Sequence, residues 1–416
     1  MLHSRACRAP TLTPFRNADH DSFVSRPNSA PPQRETARML QVGDAMSQAR
    51  ERLNIGILGT GTIFGAYARG LSLFPHLPVV RIADLDQDRA RDAARQWRIP
   101  AWGTGEELLA DDEVDVVVNI TPPSAHARLT DAALRAGKHV YVEKPLAATM
   151  REALDNLATA KETGRVLGSA PDTFLGTAGQ TARAAIDAGL IGRPFAGTSF
   201  VRSSKAQTWH PDPSFLFQTG GGPVLDWGPY HVAALVNLLG PVGQVAGATL
   251  TAEGEIDVTA PQRRVERIRV EVPSHATGVL RFESGALVTM MYSFDVWDTE
   301  LPHLEIYGTE GTLQLPDPNT FDRPVRIRRR TDDAWSQLPP VIERTTPEPP
   351  KPFRALGVAD LAAHLEGDDH RTSGEFAYHV CEVLDALQAI TLDQGPVDVA
   401  SRTERPAPAL GARRLT

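Results

Sequence analysis

Two short runs of this sequence carry side chains able to do proton and charge chemistry. The first is Glu143-Lys144-Pro145, a charged pair directly after the apolar run Val140-Tyr141-Val142. An ammonium group at the mouth of a strand can hydrogen-bond a substrate oxygen and stabilise negative charge developing on it. Burial there makes the pKa of a lysine easy to lower. The second run is Asp226-Trp227-Gly228-Pro229-Tyr230-His231, which follows Gly220-Gly221-Gly222 and leads into an apolar segment. On a helix Asp226, Tyr230 and His231 lie on or near one turn, so their polar ends can converge on one small volume. A phenol or imidazole set against a carbon–oxygen bond is what oxidation of an alcohol needs for proton transfer. The plainer alternatives stay open on these residues alone: a solvated strand end at Lys144, Asp226 as a helix cap, and Tyr230 and His231 in the core.

A third run suits a dinucleotide. Gly59-Thr60-Gly61-Thr62-Ile63-Phe64-Gly65 follows the apolar run 53–58 and enters a segment with Tyr67 and Leu71 one turn apart. A tight glycine turn lets backbone approach a pyrophosphate and offers it the free N–H groups of a helix N-terminus. The third glycine stands one place later than in Gly-x-Gly-x-x-Gly, and an ordinary strand-to-helix turn is the rival reading. Asp84 ends the next apolar run, where an acid accepts hydrogen bonds from the adenosine ribose, and with Asp86 it would repel a 2′-phosphate. That favours NAD, with NADP as the alternative; a helix cap is the other use of Asp84. Asn119-Ile120-Thr121-Pro122-Pro123 closes a further run, where Thr121, Pro122 and His126 would face the cofactor crevice together with Glu143 and Lys144. His126 is equally consistent with a helix surface.

The elements that must hold these runs alternate. Apolar stretches at 53–58, 79–83, 114–120, 139–142 and 165–167 have the length of buried parallel strands. Segments at 88–97, 125–136 and 150–163 place apolar residues at helical intervals, which together makes βαβ units. Beyond residue 174 the pattern changes. A helix at 180–189, a strand at 195–202 and a helix at 229–239 precede strand runs at 267–272, 277–282, 287–294, 303–307 and 325–329, with Glu283-Ser284-Gly285 as a hairpin turn. Residues 331–352 read as a surface loop, and 374–390 as an amphipathic helix packing back between two domains. The fold class expected is α/β: an N-terminal Rossmann doubly wound parallel sheet (49–173), then a C-terminal α+β domain with a large, mostly antiparallel open sheet (174–416). Residues 1–48 lack any sustained period and are expected to be disordered. Met46 suggests a later translation start, against an organelle transit peptide.

A length of 416 residues with 41% hydrophobic and 23% charged residues fits two folded units. The net charge of −8 and the lack of a long basic run argue against nucleic acid or an anionic membrane as partner. Two cysteines, Cys7 and Cys381, give neither a disulfide framework nor a metal-type spacing. No apolar stretch nears the roughly 20 residues of a membrane span, so a cytoplasmic enzyme acting on a small molecule is expected.

Taken in order, the glycine loop, the Thr121-Pro122-Pro123 loop with His126, the run Gly137-Lys138-His139-Val140-Tyr141-Val142-Glu143-Lys144-Pro145, and the Gly-Gly plus Asp-x-Gly motif around Asp226 resemble the glucose-fructose oxidoreductase/inositol dehydrogenase/rhizopine-catabolism (Gfo/Idh/MocA) family. The resemblance runs from about Leu53 to the C-terminal region, and Glu-Lys-Pro is its most specific part. It implies NAD(P)-dependent hydride transfer at a carbinol or carbonyl carbon of a sugar, inositol or sugar derivative. Lys144 would match the family's catalytic or substrate-orienting lysine, and Asp226 the aspartate that binds substrate hydroxyls. Four residues on, where inositol dehydrogenases place a His, stands Tyr230, as in glucose-fructose oxidoreductase and dimeric dihydrodiol dehydrogenase. Tyr230 is therefore the expected acid/base and His231 the second choice. Trp209 and His210 would offer the sugar an aromatic face and a polar contact. The resemblance also implies a homodimer or homotetramer, and two rival activities: an NAD-retaining glycoside hydrolase working through transient C3 oxidation, and a non-catalytic NAD(P)/sugar sensor.

Overall fold

In the computed structural model the described residues are 51–203, 206–342, 353–391, 393, 395–409 and 412. The expected N-terminal extension with Met46 and Cys7, and the far end of the 331–352 loop, lie outside them.

Short buried runs rich in valine and isoleucine build the first sheet: β1 (Ile55–Leu58), β2 (Val79–Ala83), β3 (Ala101–Gly103), β4 (Val116–Asn119), β5 (His139–Val142) and β6 (Leu167–Ser169). All pair in parallel, in the order β3-β2-β1-β4-β5-β6. Their faces are covered by helices, as buried parallel strands require. The register matters for function. Leu58 lies opposite both Ala83 and Asn119, and Asn119 opposite Val142. The glycine loop, Asp84, the Thr121 loop and Glu143-Lys144-Pro145 therefore leave the sheet side by side at its C-terminal edge, where doubly wound sheets bind ligands.

Local chemistry fixes the helix starts. Asp86, rather than Asp84, caps the Gln87–Trp97 helix by accepting from Arg89 N, and Thr149 with Glu152 forms a reciprocal capping box for Met150–Thr163.

The second sheet contains β7 (Pro194–Arg202), β8 (Val242–Leu250), β11 (His275–Phe282), β12 (Leu287–Ser293), β13 (Leu304–Gly308), β14 (Gly311–Leu315), β15 (Arg326–Arg329), β16 (Ser336–Gln337) and β17 (Val397–Asp398). Its order is β16-β15-β14-β13-β7-β12-β11-β8-β17, antiparallel except for the β7–β12 pair. Between β8 and β11, β9 (Glu255–Asp257) and β10 (Arg267–Arg269) make a separate two-stranded ribbon. Alternate side chains such as Leu280, Val288, Met290 and Leu304 pack inward, against helix Gly222–Leu239. Helix Gly374–Ala389 packs against β8, helix Gly222–Leu239 and the first sheet's helix Met150–Thr163.

Several expectations need correction. The run 267–272 is strand only over Arg267–Arg269 and belongs to the ribbon, not to the large sheet. The helix expected from Pro229 begins at Gly222, leaving Pro229 inside it. The loop read at 331–352 carries β16, and helix Leu356–Leu365, β3, β8, β9, β14 and β17 had not been anticipated.

Candidate active site

The glycine loop is shaped by a contact as much as by a turn. Gly59 has φ +98°, and a Cβ there would stand 3.0 Å from the Ile120 carbonyl oxygen, so the backbone of β4's exit admits only glycine. A Cβ on Gly61, by contrast, would meet nothing within 4 Å. Helix Phe64–Leu71 starts from Ile63 with no side-chain cap; Phe64 N and Ala66 N turn back onto Gly61 O and Ile63 O at 3.1 and 2.9 Å, and the positive end of the helix points at the loop. Asp84 binds this loop: its Oδ2 accepts from both the N–H and the hydroxyl of Thr60, each at 2.7 Å, and its Oδ1 accepts from Arg89 at 2.6 Å. Burial works against the Asp84 carboxylate, but the bonds from Arg89, Asp86 N and Thr60 outweigh it and hold its pKa down to about 2. This loop fits a dinucleotide's pyrophosphate: open backbone, a helix terminus without a side-chain cap and a rigid acid at the neighbouring strand end.

His126 is 1% exposed, with Nδ1 2.8 Å from Pro145 O and Nε2 2.7 Å from Thr121 O. It braces the Thr121 loop against the Lys144 turn and is not a helix-surface residue. Burial pulls its pKa down, against the pull of the two carbonyls. Thr121 Oγ1 donates to Asn119 Oδ1 at 2.7 Å, and Pro122 stands at the cap of helix Pro123–Arg135.

Glu143 is buried with both oxygens engaged: Oε1 accepts from the Tyr67 hydroxyl at 2.9 Å and Oε2 from Lys144 N at 2.8 Å. It positions the lysine. Lys144 Nζ reaches across to helix Gly222–Leu239, donating to Asp226 Oδ1 at 2.9 Å and to the Asp226 carbonyl at 2.8 Å. Pro229 removes the N–H that would bond Leu225, and this opening of the helix lies beside the carbonyl that Lys144 uses. Burial disfavours the ammonium, yet Asp226, Tyr230 and Glu143 more than offset it. The pKa of Lys144 is therefore raised, not lowered as its burial alone suggested, and the residue is a fixed cation.

The Tyr230 ring lies 5.5 Å from Lys144 Nζ and 5.7 Å from Arg354 Cζ, a phenol between two cations. Arg354 also hydrogen-bonds Tyr230 and donates to Asn319 Oδ1 at 2.7 Å. Burial lowers the pKa of Arg354, but Tyr230, Asp172 and Glu143 raise it further, so it stays charged. Buried Asp172 anchors the turn beside it, accepting from Ala355 N and Gly357 N at 3.1 Å each, and Ala355 is held at φ +147°. Arg354, Asp172 and Asn319 were not among the residues singled out from sequence; no motif surrounds them.

Lys144, Asp226 and Tyr230 are thus together, at the edge where the glycine loop emerges. His231 is elsewhere: fully buried, it faces Ser199 of β7 at 2.8 Å. Trp209 and His210 pack edge to face on each other, with His210 also against Phe215; this segment lies over the start of helix Gly222–Leu239, where a Cβ on Gly221 would meet Phe215 O.

A dinucleotide loop on a doubly wound sheet, facing a lysine–aspartate–tyrosine cluster contributed by the end of β5 and helix Gly222–Leu239, defines a nicotinamide-dependent oxidoreductase. Residues 53–170 match the oxidoreductase family with an NAD-binding Rossmann fold, and residues 180–314 the GFO/IDH/MocA C-terminal domain. The chain belongs to the GFO/IDH/MocA oxidoreductase family. It is 31% identical over 293 residues to 1,5-anhydro-D-fructose reductase of Ensifer adhaerens, covering 68% of this chain and 82% of that protein. It is 33% identical over 348 residues to dTDP-3,4-didehydro-2,6-dideoxy-alpha-D-glucose 3-reductase of Actinomadura kijaniata, covering 81% and 95%. The crystal structure of an NAD-binding oxidoreductase from Klebsiella pneumoniae superposes with TM-score 0.72 at 25% identity, over 84% of this chain and 100% of that one. Among the described residues no helix is long and apolar enough to cross a membrane.

Proposed function

We propose that this enzyme interconverts a carbinol and a carbonyl carbon on a sugar, inositol or sugar derivative, with residues 49–173 holding NAD and residues 174–416 holding the substrate. The observation that carries the reading is the Lys144–Asp226 pair beside Tyr230, at the same sheet edge as the glycine loop. When bound, the nicotinamide supplies a hydride acceptor or donor at its C4.

In this reading Tyr230 exchanges the hydroxyl proton, with the cations of Lys144 and Arg354 beside its ring. Lys144 and Asp226 hold the substrate oxygens, the ammonium stabilising charge that builds on the reacting one. His231, whose ring faces the sheet, has no part in it. Trp209 and His210 belong to the segment that would close over the sugar. Gly59 to Ile63 hold the pyrophosphate, and Asp84 disfavours a 2′-phosphate, although half-exposed Arg89 gives NADP a counter-charge. The names of the relatives, which act on anhydrofructose and deoxysugar nucleotides, support the substrate class.

Val279, Leu287 and Leu250 are exposed on the outer face of the large sheet, which we read as the homodimer or homotetramer face; light scattering measures the assembly. The activity is tested by following NADH absorbance with NAD or NADP across aldoses, inositols, sugar acids and glycosides. Reduction with one class supports the reading; tightly bound NAD with glycoside cleavage and no net NADH points to the hydrolase instead, and ligand binding without turnover to the sensor.

A further inference from the structure

Behind the catalytic helix lies a second cluster of side chains that hydride transfer does not use. His231 follows Tyr230 by one residue and so stands about 100° further round the helix. Its Nδ1 is 2.8 Å from Ser199 Oγ, which is 3.1 Å from the Tyr292 hydroxyl. Its Nε2 is buried and, among the described residues, has no hydrogen-bond partner. His231 clusters with His303 and Asp317: one ligand atom from each of the three residues lies within 4.8 Å of the others.

The three come from separate elements that meet at one end of the large sheet. His303 precedes β13, and its carbonyl accepts from Phe200 N of β7 at 2.8 Å. Asp317 follows β14 by two residues. Both are half-buried, whereas His231 is fully enclosed.

If Nδ1–H donates to Ser199, the Nε2 lone pair is left bare, and burial holds the imidazole neutral by pulling its pKa well down. An imidazole oriented through its other nitrogen is how metal-binding histidines are usually fixed. We infer that His231 Nε2, His303 and Asp317 bind a divalent transition-metal ion of zinc's class. Two imidazoles and one carboxylate suit such an ion better than calcium or magnesium, which prefer all-oxygen sites. Three protein ligands leave a fourth position open. Ligand atoms about 2.1 Å from a tetrahedral ion stand roughly 3.4 Å apart, so the half-buried His303 and Asp317 close onto His231 by side-chain rotation. Arg202 adds a cation beside the cluster, on which Asp317 and Asp298 both act. The bound ion would tie the catalytic helix to the sheet one residue from Tyr230.

The experiment is a cobalt(II) titration of the chelator-treated full-length protein, read by visible absorption. The expected result is the strong d–d absorption of tetrahedral cobalt, saturating at one ion per chain, displaced by zinc, and lost in both His303→Ala and Asp317→Asn. Zinc should also raise the Tm of the wild type and leave those two variants unmoved, while each still binds NAD. Wild-type protein that gives no such absorption, or variants that give the same absorption, would overturn the assignment and leave a polar, water-filled junction.

Discussion

Lys144 Nζ donates to two atoms of one residue, the carboxylate and the backbone carbonyl of Asp226, at 2.9 and 2.8 Å. The ammonium is thereby fixed in place as well as in charge. In Asp226→Asn, burial would still depress the lysine's pKa while its principal counter-charge is gone. The alkaline limb of kcat/KM should then move to lower pH, and kcat/KM should fall by about 10²-fold. An unmoved alkaline limb would show that Asp226 does not govern Lys144.

Tyr230→Phe removes the proton carrier and keeps the ring between its two cations. We expect kcat to fall by roughly 10²- to 10⁴-fold, with NAD affinity intact by fluorescence titration. A kcat within a factor of a few of wild type would take Tyr230 out of the mechanism.

Arg354 acts on the same phenol, its Cζ 5.7 Å from the ring. A hydrogen bond to a charged group is worth about 1.5–3 kcal/mol, so Arg354→Gln should lower kcat by about 10- to 150-fold with a smaller change in KM. Loss confined to KM would make Arg354 a binding residue only.

Arg354 also marks where sequence reading stops. The glycine loop, Asp84 and Lys144 were legible because each chemical group directly follows a compact apolar run, and parallel register carries all of them to one edge. Arg354 reaches Tyr230 only because Asp172, 183 residues before Ala355, holds the turn, and no local pattern encodes that. Helix Gly222–Leu239 misled for a related reason. Gly220-Gly221-Gly222 reads as a turn and Pro229 as a helix start, whereas Gly222, at φ +90°, opens a helix that Pro223 continues. Close packing sustains it there: a Cβ on Gly228 would stand 2.5 Å from Leu384. β3, at three residues, is too short for any periodicity to announce.

We expect cofactor choice to rest on Asp84. Asp84→Asn removes a charge that repels a 2′-phosphate and releases Arg89 from its 2.6 Å pair. The ratio of kcat/KM for NADP to that for NAD should rise about tenfold or more, one pairing being worth upwards of 1.5 kcal/mol. A ratio that stays put would place cofactor discrimination elsewhere.

Stability towards acid should be set in part by His379, which joins helix Gly374–Ala389 to β8. Val242 N donates to its Nε2 at 3.0 Å, so that nitrogen must keep its lone pair, and Nδ1 lies 2.8 Å from Ser401 Oγ. Burial, opposed by Glu382, pulls its pKa from 6.5 down to about 4. Between those values the unfolded chain binds the proton and the native chain does not. Stability is then complete above pH 6.5 and is lost as pH falls towards 4, by about 3 kcal/mol from this residue. In His379→Gln an amide oxygen can still accept from Val242 N but cannot titrate. Urea midpoints of the variant should decline less steeply between pH 6.5 and 4 than those of the wild type. Parallel declines would mean that other groups, such as His370, whose pKa burial lowers to about 3, carry the acid sensitivity.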